Sequence, residues 1–161
     1  MMLRGTAKLL ALLRPPHLSV TDPTDDDWYG TLLWLEARKC VLLTHSGTLF
    51  SIFVPDVRAA QLRPVAPWLT TLTRDHLASE QLPTDTLGRL DHEDLSIAKT
   101  ANRHILGVIN DTALHIDHAI ADAGGLNTCD IPDLNQHLRR GLHRRNNHHV
   151  RPVELAAARA P

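Results

Sequence analysis

The sequence predicts an α+β fold in a single domain: an antiparallel three- to four-stranded sheet meander with helices packed on it. Three apolar runs carry the first part of that expectation: W-Y-G-T-L-L-W-L-E from Trp28, K-C-V-L-L-T-H from Lys39 and T-L-F-S-I-F-V from Thr48. Only Ala37-Arg38 and Ser46-Gly47 stand between them, which is the pattern of consecutive strands joined by tight turns. The strongest helical segments come after these strands, which favours α+β over an alternating arrangement. Both alternating sets of the first run are apolar, Trp28, Leu32 and Trp34 on one side and Tyr29, Leu33 and Leu35 on the other. Each face of the sheet therefore needs a cover, and Trp34 and Phe50 are expected in the core.

The elements follow in order. Thr6 can cap a short helix carrying Leu9, Leu10, Leu12 and Leu13, which Pro15-Pro16 ends. After the meander, Pro55 stops the third strand and Val57 to Leu62 has room for one helical turn before Pro64. Trp68, Leu69, Leu72, His76 and Leu77 recur at helical spacing, predicting an amphipathic helix over 66–80. A polar connection, 83–91, leads to a fourth, shorter strand in which Leu95 and Ile97 alternate with Asp94, Ser96 and Ala98. Thr100 or Asn102 can cap the longest helix, whose Ile105, Ile109, Ile116 and Ile120 run to Gly124-Gly125. Asp130 before Ile131-Pro132 marks another helix entry. The domain is expected to span 1–145, and 146–161 to fray, with at most a weak alanine-rich turn between Pro152 and Pro161.

A chain of 161 residues can bury a sizeable core without a disulfide or a structural metal. Its formal charge of -1 and its 43% hydrophobic content select neither nucleic acid nor membrane as a partner. Local charge is uneven: Asp22, Asp25, Asp26 and Asp27 form an acidic loop, and Arg139, Arg140, Arg144, Arg145 and Arg151 a basic C-terminal segment, two groups able to pair with each other. Cys40 and Cys129 form no C-x-x-C pair, which fits a reducing cytoplasm. No apolar run approaches the ~20 residues that span a bilayer, so a soluble protein with no membrane partner is expected.

Three constellations could carry chemistry. On the longest helix, His104, Asp111, His115, His118 and Asp122 share one polar stripe, and Asp111, His115 and His118 lie a turn apart, as ligands of one divalent ion would. The same stripe is what a solvated helix face shows, and H-x-x-H without a glutamate is no zinc-protease signature; no cofactor or metal is favoured. The basic segment offers Arg139, Arg140, Arg144 and Arg145 to phosphates or to an acidic protein, but without interleaved aromatics any nucleic-acid contact should be weak and non-specific. The third set is Asn102, Arg103, Asn110 and Asp111. Asn102 reads as a cap, whereas Asn110 and Asp111 are poor helix formers inside a helix, a local cost that a neighbouring loop or a polar pocket would explain.

W-Y-G-T-L-L at Trp28, R-K-C-V-L-L-T at Arg38, T-L-F-S at Thr48 and N-R-H-I-L-G-V-I-N-D at Asn102 together resemble a family of small bacterial proteins defined as a domain of unknown function. The resemblance covers roughly 1–122, and Trp28, Tyr29, Arg38, Lys39, Thr48, Asn102, Arg103, Asn110 and Asp111 match its pattern; it implies no activity. The function expected from the sequence is a non-catalytic intracellular binding or interaction module. The alternative is a small hydrolase or nuclease acting through Asn102, Arg103, Asn110 and Asp111, and the two part on whether those side chains converge.

Overall fold

A computed structural model describes residues 1–89, 91 and 94–161 of the chain. The meander forms as its patterning dictates: β2 (Trp28–Leu35), β3 (Arg38–His45) and β4 (Ser51–Val54) pair antiparallel, with Trp28 opposite His45, Leu35 opposite Arg38 and Val41 opposite Val54. The first turn falls on Glu36-Ala37, one residue earlier than the expected Ala37-Arg38. Both residues are left-handed, at φ 51° and 60°, the twist a two-residue hairpin loop needs. Neither is a glycine or asparagine, so the turn has no local signature. The Glu36 carboxylate instead accepts from the Leu126 N–H at 2.9 Å, which anchors the tip from outside.

The sheet is larger than expected, and it is mixed. β1 (Met2–Gly5) precedes α1 (Ala7–Leu13) and lies parallel to both β2 and β5 (Ser96–Lys99), giving the order β4-β3-β2-β1-β5. The antiparallel three- to four-stranded arrangement is thereby corrected to five strands with two parallel pairs. Four residues ending in glycine show no alternation, and their partners are distant in sequence, so nothing local announces β1. The expected fourth strand is β5, in part; residue 90, within the expected polar connection, and residues 92 and 93, just after it, lie outside the described residues. Gly30 explains how closely α1 settles on the sheet: a Cβ there would stand 2.6 Å from Leu9 Cδ2. Thr6 starts α1 without a side-chain cap, its hydroxyl bonding that of Thr31 at 3.1 Å.

Both faces are covered. On one, α1, a 3-10 turn (Ala59–Leu62) and α2 (Val65–Ser79) enclose Leu3, Leu9, Trp28, Leu32, Val41, Phe50, Ile52 and Leu69. On the other, α3 (Arg103–Asp122) and α4 (Ile131–Arg140) lay Ile105, Ile109, Ile116, Leu134 and Leu138 over Tyr29, Cys40, Leu42 and Phe53. Asn102 caps α3 through the N–H groups of His104 and Ile105, and Asp130 caps α4 through that of Asp133. The two alternating sets of β2 thus divide between two cores, except for Trp34. That side chain is 57% exposed, near the hairpin tip, with the Lys39 ammonium 5.7 Å over its ring.

Where the sequence suggests fraying, the chain forms a hairpin, β6 (His143–Arg145) and β7 (His148–Val150), followed by α5 (Pro152–Ala157). Asn146 and Asn147 turn it with φ 48° and 64°, a left-handed pair that asparagine tolerates. Ala156 is fully buried in the first core.

The exposure of Trp34 and the complete burial of Phe50 predict opposite outcomes for truncation. Phe50→Ala should lose about 3 to 5 kcal/mol, as large buried aromatics do, and Trp34→Ala less than about 1 kcal/mol. Chemical denaturation measures both; equal losses would place Trp34 in a core after all.

Candidate functional site

α4 reaches the edge of the sheet with a polar side chain. Asn135, buried beside Leu134 and Leu138, accepts from the Phe53 N–H at 2.7 Å and donates to the Phe53 carbonyl at 2.9 Å. Its amide replaces the next strand, so β4 offers no free backbone pair at that residue. Between α4, α2 and the end of β4 lies a cleft of about 580 Å³, within the range of small-molecule sites. Phe53, Val54, Pro55, Leu72 and Ile131 supply its apolar surface, and Asp75, His76, Gln136 and Arg139 its polar one.

The polar wall is fixed by Arg139, which is 3% exposed. Its Nε donates to Glu80 Oε1 at 2.8 Å, Nη1 to His76 Nδ1 at 3.0 Å and Nη2 to Ser79 Oγ at 3.3 Å. The guanidinium also lies 5.2 Å over the Phe50 ring. Glu80 turns its other oxygen to Arg140 Nη2 at 3.0 Å. A guanidinium can only donate, so His76 Nδ1 accepts and the ring proton sits on Nε2. Burial, and then the charge of Arg139, push His76 from the ordinary 6.5 down to about 4, so the ring is neutral at physiological pH. Burial likewise lowers Arg139, with Glu80 opposing.

The residues nominated from the sequence do not meet as a set. Asn102 is consumed by its cap, through His104 N at 3.0 Å and Ile105 N at 3.3 Å. Asn110 is exposed and its side chain makes no hydrogen bond among the described residues, which corrects the expected tie to a neighbouring loop. Arg103 and Asp111 do share a cleft of about 520 Å³ with His104, Arg144, Asn146 and Asn147. A neighbouring depression joins Asp111 and His115 to His137 and His143, while His118 is exposed on α3. Among the described residues no three His, Cys, Asp or Glu side chains gather as a metal site would require.

The nominated arginines are mostly engaged. Arg139 and Arg140 hold Glu80, and Arg145 donates to the Gly47 carbonyl and faces Asp25 at 3.7 Å. Arg159 meets Asp26 at 2.9 Å. Arg144 alone of the four reaches an amide oxygen, Asn147 Oδ1 at 2.8 Å, rather than a carboxylate. Nor is a nucleophile poised. Cys40 is buried and burial pushes its thiol up; among the described residues the hydroxyl–imidazole pair of Thr48 Oγ1 and His45 Nδ1, at 3.1 Å, is buried too.

Sequence reasoning assigned His76 to an apolar stripe and Arg139 to a phosphate-binding segment. The available signal was the pair Asn135 and Arg139, one turn apart and adjacent to Leu134 and Leu138 on what must be the inner face of α4.

The chain belongs to the family described as a domain of unknown function (DUF6933), whose model matches residues 2–155. No curated protein matches the chain, and no solved structure does. The family match runs past the hairpin into α5, further than the resemblance over 1–122.

The two neutral histidines set a pH dependence. His45, fully buried, is held down to about 4, by burial first and then by Arg159, with Asp26 and Asp27 opposing. The unfolded chain binds protons below about pH 6.5 and the folded one does not until near pH 4, so stability falls as pH drops through that window. His45 accounts for roughly 3 kcal/mol of the loss. Denaturant titrations at about pH 7 and pH 4.5 should show the fall in the native chain and a smaller one in His45→Asn; a flat profile would refute it. Asn110→Ala, at an exposed helical position, should shift stability by no more than about 0.5 kcal/mol in the same assay; a loss above about 1 kcal/mol would restore its structural role.

Proposed function

We propose that the protein is a non-catalytic binding module, and that its ligand occupies the cleft between α2 and α4 at the end of β4. One observation carries this reading: an apolar cleft of about 580 Å³ has a polar wall already locked in place by the buried Arg139–Glu80–His76 network. A preorganised wall binds at lower entropic cost than one that must be ordered, and a few fixed polar groups in an apolar cleft are what orient a small ligand. The proposal includes a reducing, cytoplasmic setting in a bacterial cell, supported by the free thiols of Cys40 and Cys129 and the sequence resemblance. The enzymatic alternative retains Arg103 and Asp111, which share a cleft with Arg144. It lacks a nucleophile and base in contact at an open site among the described residues. Weak contact with nucleic acid or an acidic protein, the expected use of the arginines, would fall to Arg144 with Arg103.

A fragment screen read by amide chemical-shift perturbation separates these readings. Shifts should concentrate on Val54, Leu72, His76 and Gln136. Hits confined to Arg103, Asp111 and Arg144 would transfer the site to the α3 cleft, and hits scattered over the surface would sink the binding-module reading.

A further inference from the structure

The charges lining the α2–α4 cleft are not equally engaged. The three donor nitrogens of Arg139 already face Glu80, His76 and Ser79, so its charge is answered and its directional capacity largely filled. The start of α4 would otherwise attract an anion, but Asp130 accepts the Asp133 N–H, Pro132 has no N–H to offer, and Asp133 adds a second carboxylate, with His137 Nδ1 3.3 Å from it. Asp75 differs from all of these. It is exposed at the cleft rim, and among the described residues its carboxylate enters no hydrogen bond or ion pair. Asp75 and Leu72 also line the adjoining groove of about 590 Å³ beside Trp68. Arg63 of that groove donates both Nε and Nη2 to the Leu12 carbonyl.

We infer that this cleft selects small ligands that carry a protonated amine on an apolar body. The ammonium meets the Asp75 carboxylate, the apolar part lies on Phe53, Val54, Pro55 and Leu72, and His76 Nε2–H is left to donate to an acceptor where the ligand has one. An anionic ligand is disfavoured, because it would bring its charge beside Asp75, Asp130 and Asp133, and among the described residues lining the cleft there is no unengaged cation to receive it. This inference rests on the cleft being the binding site, and the experiment below separates the two.

Three probes with the same apolar chain and different heads, hexylamine, hexanol and hexanoate, are titrated near neutral pH and at low salt, with amide shifts as readout. All three should perturb Val54, Leu72 and Gln136, in the affinity order amine, alcohol, carboxylate. The ends of the series should differ about tenfold, because an exposed carboxylate attracts one head and repels the other through screening water. In Asp75→Asn, a surface change that leaves the fold intact, the amine should fall to the level of the alcohol while hexanol binding stays unchanged. If the probes bind in the cleft but hexanoate equals or exceeds hexylamine, or if Asp75→Asn leaves the preference intact, the cationic selectivity is wrong and the binding site stands. If none of the three perturbs the cleft, the binding reading fails and this inference with it.

Discussion

A charge buried on an interior strand of the sheet organises this fold. Arg4, in the strand inserted between β2 and β5, is 2% exposed, and its Nε meets Asp27 Oδ2 at 2.5 Å. The remaining nitrogens reach the carbonyls of Thr21 and Asp22 at 2.9 Å and that of Lys99 at 3.3 Å. Asp27 in turn accepts from the Thr24 N–H at 3.0 Å and its hydroxyl at 2.7 Å. A buried guanidinium tolerates no vacancy in this set, since removing one member of such a pair typically costs about 3 to 5 kcal/mol. The geometry therefore requires β1, the end of β5 and the loop through Asp27 to converge. That loop carries the constraint onward: Asp25 and Asp26 receive Arg145 and Arg159, and the C-terminal hairpin and α5 close over the turn after β3. Asp27 itself reads as a solvated acid in the sequence, and only the buried arginine of a distant strand explains its burial.

What was legible follows from the range of the signal. The meander, the Asn102 cap of α3 and the Asp130 cap of α4 are encoded within a few residues of where they act, and periodicity or capping chemistry exposes them. β1 and its parallel pairing are encoded only in partners far along the chain, where no local pattern reaches. The Glu36-Ala37 turn and the exposed Trp34 fail for related reasons. The first is enforced by a carboxylate bonding across to Leu126, and the second lies where β2 runs beyond the helices that cover the rest of it. The pairing of the basic segment with the acidic loop, which charge patterning allows, holds for Arg145 with Asp25, joined by Arg159 with Asp26, whereas Arg139 and Arg140 turn to Glu80.

The candidate site was legible only as scattered parts. Arg103, Asp111 and Arg144 were all singled out, and two helical turns of α3 and one hairpin do bring them to a common cleft. The cleft between α2 and α4 was not foreseen, because its polar residues come from two helices separated by the whole of β5 and α3. His76, read alone, is a tolerated imidazole on an apolar face. Arg139, read alone, is one of five arginines in a short span. Their chemistry exists only in the pair, where the guanidinium fixes the ring tautomer and the ring helps to fill the guanidinium's donors.

One helix, α4, does two jobs that cannot be separated. Asn135 ends the sheet by bonding both backbone groups of Phe53, and Arg139, the next turn on, holds α2 through Glu80, His76 and Ser79. Pulling α4 away to widen the cleft would free the β4 edge and leave a buried arginine and a buried glutamate without partners, a joint cost well above that of an ordinary loop motion. The cleft walls are therefore set by the same bonds that complete the fold. A ligand entering there meets a surface fixed in advance, and selectivity must come from its own shape and charge rather than from a closing motion of the protein.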